Sequence, residues 1–469
     1  MFMSAIPSAD VSFAVTLYHD VEQDFDSDAD PEECRRVVRE FLKLESKYGV
    51  SVTYNVVGRI FEEQPDLVEW IVAGGHEVAF HSYEHQPDWQ PKYYIPNVES
   101  CRRASKAPLG YSSPRSEWDE ATLKSLWGNR FVWNAEYDES SGPYLIHKGL
   151  VRLPIATDDW FVHTGEQTID EWVRLFRDLT RSRRYFGFGS HDSFTSFAVD
   201  ERLKAWENVL RTVRDSGILA LTFLEAADLF RRTELSRYYT TEAKEWNRAT
   251  RKLYRTKRFI ELLLHEANKL RKPVVADLGS GGGVLSYPLR GISDEIFCVD
   301  NSPGMLAEVN PSLKPVLGEA TDSGLPDDSI DLIICARVVE YLSRPDALAE
   351  EMVRIGKMGA TFFVTFPAAE VGKPGGESIL HQIRRYFTKD GGESIPDRIR
   401  RYFTKDEVLE WARQIGPCRV VGVQYIAKEP GSEEETERYR EMENNPPPGK
   451  KPSNWVCVGA VKKPERTFS

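Results

Sequence analysis

The stretch Gly74-Gly75-His76-Glu77-Val78-Ala79-Phe80-His81-Ser82-Tyr83-Glu84-His85 decides how the first half of this 469-residue chain is read. Its apolar run, Val78 to Phe80, reads as a buried strand that delivers two histidines four residues apart. A chain turning helical at His81 would stack His81 and His85 on one face. Two imidazoles on one face suit a borderline-soft divalent ion and leave room for one carboxylate and a water. Working outward, Val11 to Leu17 reads as another buried strand, ending in Tyr18-His19-Asp20-Val21-Glu22-Gln23-Asp24. Ionisable residues at the carboxyl end of a strand stand where α/β proteins build their sites. A helix is expected from Pro31 to Tyr48, with Glu32 and Glu33 in its first turn and Gly49 closing it. Val50 to Val57 is a second strand and Gln64 to Ala73 a second helix. This β-α-β-α-β alternation predicts parallel strands in a barrel or a doubly wound sheet.

The totals bound the function. The length predicts two or three domains, and the net charge of −12 gives no basic footprint for nucleic acid. No window approaches the roughly 18 apolar residues of a membrane span. Met1 to Asp10 lacks the basic start and long apolar run of a signal peptide. The six cysteines are scattered without a CxxC pair and read as reduced thiols of a cytoplasmic protein. Seven of nine histidines precede residue 200, which points to metal or acid–base chemistry in the first half.

Further motifs extend the histidine stretch: Gly110-Tyr111-Ser112-Ser113-Pro114-Arg115, Tyr137-Asp138-Glu139-Ser140-Ser141 and Gly189-Ser190-His191-Asp192. With His19-Asp20 and Gly75-His76-Glu77 before them, their order and spacing over residues 11 to 230 resemble the polysaccharide deacetylase family. The resemblance implies a distorted (β/α) barrel, with Asp20, His81 and His85 holding a divalent ion, zinc first among candidates. It implies His191 as the acid that protonates the leaving amine. Two positions depart from the family pattern. His19 stands where the family has its base, so the base is His19 itself, Glu22 or Asp24. Ser112 stands where the family has an arginine; Arg115 fills that orienting role from beyond Pro114, or the role is lost. Asp158-Asp159-Trp160, after the strand Gly149 to Ile155, reads equally as part of a sugar site or as ordinary loop.

A polar, basic, helix-forming junction, Arg231 to Lys272, separates the halves, with the boundary placed near 233. The second half opens on Pro273 to Leu278, an apolar strand, followed by Gly279-Ser280-Gly281-Gly282-Gly283. Such glycines let a backbone approach a ligand closely. Val284 to Leu289 is expected as a short or bent helix because of Pro288. The strand Glu295 to Val299 ends in Asp300, placed to meet ribose hydroxyls. With Gly318-Glu319-Ala320, Leu325 to Asp331, Val339-Glu340-Tyr341-Leu342 and Met352 to Gly359, the pattern resembles the class I S-adenosylmethionine-dependent methyltransferases. That resemblance implies Asp277, Gly279 and Gly281 at the methionine part of the cofactor, Asp300 at the ribose and Glu319-Ala320 at the adenine. Tyr341 is an acceptor-site residue or a packing residue.

Residues 375–390 (GGESILHQIRRYFTKD) recur almost unchanged as 391–406 (GGESIPDRIRRYFTKD). The second copy runs into an amphipathic helix, so it is taken as structural and the first as a tolerated insertion. The fold class expected is α/β: a deacetylase-type barrel over 1–233 and a Rossmann-like doubly wound methyltransferase sheet over 234–469. The expected function is metal-dependent N-deacetylation of an amino sugar or sugar-derived metabolite, coupled to S-adenosyl-L-methionine-dependent methylation of the product or a related intermediate. The alternatives are a methyltransferase whose barrel only binds substrate, or a barrel that opens cyclic amides without metal. No nucleic-acid or membrane partner is expected, and the oligomeric state stays open.

Overall fold

The computed structural model describes residues 14–23, 30–85, 91–146, 149–193, 198–251, 253–369, 394–423, 431–446 and 448–463. Asp24 and the first repeat copy lie outside the described residues. Contacts divide the chain into two units, Ala9–Arg231 and Arg232 onward, the division falling inside the helix Phe223–Thr250. Among the described residues, no helix is long and apolar enough to cross a membrane.

The first unit is a closed parallel barrel. Its strands are β1 (Ala14–Val21), β2 (Thr53–Val56), β3 (Glu77–Phe80), β4 (Gly110–Ser112), β5 (Trp133–Tyr137), β7 (Val151–Thr157) and β8 (Tyr185–His191). They hydrogen-bond in the order β1-β2-β3-β4-β5-β7-β8 and back to β1. A two-residue β6 (Tyr144–Leu145) runs antiparallel to β7, and β9 (Leu219–Leu221) pairs with the first half of β1, below the point where β2 begins. All eight residues of β1 are buried, because both of its faces are covered. The outer face packs Val15, Leu17 and Val21 under helices carrying Val37, Phe41, Trp172, Phe176 and Trp206. The helix Pro31–Tyr48 forms as expected: the Asp30 side chain accepts from the Glu32 amide, and Gly49 closes it in the left-handed conformation.

Register carries the site. Asp20 sits level with Asn55 on β2 and with His191 on β8. Three neighbouring strand ends therefore present their side chains at one height on the carboxyl rim.

The second unit has a seven-stranded sheet built from β10 (Val274–Leu278), β11 (Glu295–Asp300), β12 (Lys314–Leu317), β13 (Ile330–Ala336), β14 (Gly356–Pro367), β15 (Cys418–Val423) and β16 (Asn454–Ala460). Their order is β12-β11-β10-β13-β14-β16-β15, and β16 is antiparallel to both neighbours. The strand order reverses between β10 and β13, and the glycine turn follows β10 at that switch point, where open α/β sheets bind ligands. The helix expected over Val284 to Leu289 is instead a run of turns leading into a 3₁₀ segment, Tyr287–Gly291, with Pro288 at its start.

Candidate functional site

The barrel site begins at the end of β1, where the pleat alternates. Asp20 and Glu22 point to the rim; His19 and Val21 point to the outer layer. His19 is fully buried there, stacked on Phe41 at 3.9 Å and bonded to Glu45 at 2.7 Å. Glu45 also accepts from Tyr54 and Trp206. Burial alone would raise Glu45, but His19, His76 and Tyr54 hold it below the usual carboxylate range. His19, one of the three base candidates with Glu22 and Asp24, thus lies on the far face of the strand among packing and hydrogen-bonding partners.

His81 and His85 meet as anticipated, but not on a helix. β3 stops at Phe80, Ser82 and His85 take positive φ of 58° and 67°, and the His85 amide donates to Ser82 Oγ at 2.9 Å. This tight turn brings both Nε2 atoms to Glu22 Oε1, at 3.3 Å from His81 and 3.1 Å from His85. Burial pushes Glu22 upward, yet the two imidazoles bring it well below the ordinary range. Glu22, expected among the base candidates, thus forms the carboxylate corner of the histidine cluster. Asp20, expected as ligand, stands beside it, with Oδ1 3.8 Å from His81 Nδ1 and accepting from Asn55 at 2.7 Å.

His191 closes the other side. Its Nδ1 meets Asp159 Oδ1 at 2.6 Å, and Ser190 donates to Asp159 Oδ2 at 2.6 Å. Asp159 is held below its ordinary range by these contacts despite burial. An ionised carboxylate only accepts, so Nδ1 carries the proton, and Nε2 faces Asp20 Oδ2 at 3.6 Å and Glu22 Oε1 at 3.8 Å. Asp158 is pushed up by burial and accepts from Tyr137 at 2.5 Å and Tyr18 at 3.2 Å. Arg115 lies exposed in the turn after β4, with φ 55°. The acid pair Asp158-Asp159 and the tyrosine hydroxyls were not assigned from sequence; only the Asp-Asp-Trp ending of a strand marked them.

Two donor groups result, Glu22/His81/His85 and Asp20/Asp158/His191, each with its ligand atoms within 4.8 Å of one another. The first, two imidazoles and one carboxylate, has the donor chemistry of a divalent zinc-type site with a position left over. His81 Nδ1 is buried with no hydrogen-bond partner among the described residues. Burial opposes charge on His81, but Asp20 and Glu22 push it up to about 9. The surrounding carboxylates thus favour positive charge at this point, as a proton or as a cation.

In the second unit the cradle is made mostly of backbone. Gly279, Gly281 and Gly283 have φ of 72°, 52° and 70°. The Gly281 amide donates to Asp300 Oδ2 at 2.8 Å, and the Ser302 amide to Oδ1 at 2.9 Å. Asp277 accepts from Ser286, and burial pushes it up to about 7; burial pushes Asp300 up to about 6. Asp277 Oδ1 is buried with no hydrogen-bond partner among the described residues. Asn301 donates to Glu319 at 3.4 Å, which places Glu319-Ala320 beyond Asp300. A Cβ on Gly279 would fall 2.2 Å from Val338, so the turn and the loop after β13 already touch. Two carboxylates above a glycine-rich turn have the acceptor chemistry that an ammonium and ribose hydroxyls would need.

Comparison with known proteins finds relatives for each of the two units. Residues 20–126 match the polysaccharide deacetylase family model, and residues 276–364 match a methyltransferase domain model. An uncharacterised methyltransferase of Mycobacterium leprae is 26% identical over 98 residues, 20% of this chain and 36% of that protein. The match thus spans about a third of the length of that curated relative. A polysaccharide-deacetylase-type structure from Mycobacterium smegmatis is 20% identical, covering 46% of this chain and 89% of its own, with a TM-score of 0.41. A SAM-dependent methyltransferase structure from Thermotoga maritima is 17% identical, covering 50% of this chain and all of its own, with a TM-score of 0.35. The chain joins a polysaccharide-deacetylase domain to a methyltransferase domain, and the latter implies S-adenosyl-L-methionine as cofactor.

Proposed function

We propose that the chain is a bifunctional enzyme. The barrel hydrolyses the acetamide of an N-acetylated sugar or sugar-derived metabolite, and the second unit methylates the product or a related intermediate. The observation that carries this is the meeting of Glu22, His81 and His85 at 3.1–3.3 Å, beside Asp20 and the Asp159–His191 pair. Glu22, His81 and His85 are the residues to hold a divalent ion, with Glu22 rather than Asp20 as the carboxylate. Such an ion, when bound, polarises the acetamide carbonyl and acidifies a water.

The chain's own groups do the rest. Asp20, fixed by Asn55, takes the proton of the attacking water. His191, held by Asp159, gives its Nε2 proton to the departing nitrogen, so that acetate and a free amine leave. Asp159 keeps the imidazole in one orientation and stabilises its charged form. Tyr137, its hydroxyl on Asp158, stands at the mouth of the site at 38% exposure, where a sugar ring can meet it. Asp20 faces the histidine cluster where a base is needed, which supports an active barrel over one that only binds substrate. In the second unit, Asp277 orients the ammonium of S-adenosyl-L-methionine and Asp300 its ribose, while the cofactor supplies the methyl group.

The test is elemental mass spectrometry on protein purified without chelator, followed by acetate release from N-acetylglucosamine oligomers. About one divalent ion per chain, lost in Glu22→Ala and His81→Ala, together with acetate release, is the expected result. Full metal content in Glu22→Ala would return the ligand role to Asp20. No metal after reconstitution with zinc, cobalt or nickel would end the metallohydrolase reading.

A further inference from the structure

The described part of the second repeat copy builds a wall of the methyltransferase unit. Ser394 caps the helix Ile395–Ile399 by accepting from the Asp397 amide, and Pro396 and Ile399 are buried. The Arg401 amide donates to the Glu340 carbonyl at 2.9 Å, tying the segment to the loop after β13. This seats Arg400 inward at 4% exposure. Its guanidinium donates to Tyr341 Oη at 3.0 Å and to Asp397 Oδ1 at 3.3 Å, while its Nε has no hydrogen-bond partner among the described residues.

Two more guanidiniums share this place. Arg337 meets Glu340 at 2.7 Å and donates to Asn454 at 2.9 Å. Arg255, partly buried, is pushed down to about 9, first by burial and then by repulsion from Arg337 and Arg400. Among the described residues, Arg337 and Arg400 thus meet the carboxylates Glu340 and Asp397, with the partly buried Arg255 close enough to feel both guanidiniums. Aromatic rings complete the wall: Tyr239 donates to Tyr341 at 3.1 Å and packs on Trp246 at 5.2 Å.

The cluster adjoins the cofactor cradle through two elements. Val338, within the same loop as Arg337 and Tyr341, lies against Gly279. The helix that carries Tyr239 also bonds Thr240 to Ser302 at 3.0 Å, next to Asp300, and sets Asn247 against Gly282. Guanidinium groups with spare donors beside aromatic faces recognise carboxylates and phosphates.

We propose that this cluster is the acceptor subsite of the methyltransferase unit and that it takes an anionic group of the acceptor, a carboxylate or a phosphate. The assignment rests on the methyltransferase reading. The second copy of the repeat thus supplies the buried arginine of the subsite.

The test is calorimetric titration of the full chain with inorganic pyrophosphate and with malonate, each with and without S-adenosylhomocysteine. At least one anion is expected to bind in the sub-millimolar range. Arg337→Gln and Arg255→Gln should each weaken it by about tenfold or more, and Tyr341→Phe by a few-fold, with S-adenosylhomocysteine affinity held within about twofold. Preference for pyrophosphate over malonate identifies a phosphate-bearing acceptor, and the reverse a carboxylate. S-adenosylhomocysteine binding without anion binding, or anion binding indifferent to the three variants, overturns the proposal alone. Failure to bind S-adenosylhomocysteine overturns the methyltransferase reading and the acceptor assignment with it.

Discussion

The two candidate sites are built from different materials. The barrel site consists of side chains: carboxylates, imidazoles and tyrosine hydroxyls from β1, β3, β5, β7 and β8, all converging at strand ends. The cofactor cradle of the second unit consists largely of backbone: three glycines at positive φ and amides bonded to Asp300. A side-chain site depends on which face of a strand each residue takes. A backbone site depends on where side chains are absent. The first should therefore fail through loss of single functional groups, the second through addition of atoms.

The largest effect is expected in the barrel. Glu22→Ala should remove the bound ion and lower acetate release more than about 100-fold. Asp20→Asn, with its shape kept and the basic group lost, should retain metal and cost about 10²–10⁴ in kcat. Metal analysis beside steady-state kinetics separates the two roles, and loss of metal in both variants would blur the distinction between ligand and base.

Next is an added atom in the cradle. Gly279→Ala places a methyl in the left-handed region, which costs about 1–2 kcal/mol, and against Val338. S-adenosylhomocysteine affinity should fall about tenfold or more by calorimetry, with metal content in the barrel unchanged. An unaffected Gly279→Ala would mean the turn does not approach the cofactor.

Smaller is a pH effect on the same cradle. Asp277 and Asp300 lose their protons only near pH 7 and 6. Their raised values mean that the ligand-free fold holds protons the unfolded chain has released. Its stability accordingly declines as pH rises from the ordinary carboxylate range through about 7. S-adenosylhomocysteine needs the ionised forms, so its affinity should rise between about pH 6 and about pH 8, by at most about tenfold per unit. Asp277→Asn should flatten that rise.

The smallest effect on turnover is expected at His19. His19→Phe should leave metal content and kcat within about twofold, while lowering stability by about 1–3 kcal/mol in urea titration, because Glu45 loses a buried partner. A large kcat loss with normal stability would put His19 back among the functional residues.

Much of this was legible in the sequence, for reasons that vary by residue. The alternating strands and helices, the paired histidines and the glycine turn each carry a local signature. The face of His19 does not. In a strand buried on both sides, apolar residues occupy both rows, so no polar alternation fixes the phase. Asp158 and Asp159 were visible as an acidic pair, but their partners Tyr18, Tyr137 and His191 are 140, 21 and 32 residues away. Arg400 is one of several cations in the repeat; only folding sets it on Tyr341.

The pleat of β1 works like a reading frame. Its two rows serve different masters: Tyr18, Asp20 and Glu22 the rim, Leu17, His19 and Val21 the shell beneath the helices. Point substitutions in this strand alter one word at a time. Inserting or deleting one residue before Asp20 would transpose the rows, sending carboxylates into the apolar shell and valines to the rim. A two-residue change would keep the faces and shift only the height. The parity of its length therefore constrains β1 separately from the identity of the residues it carries.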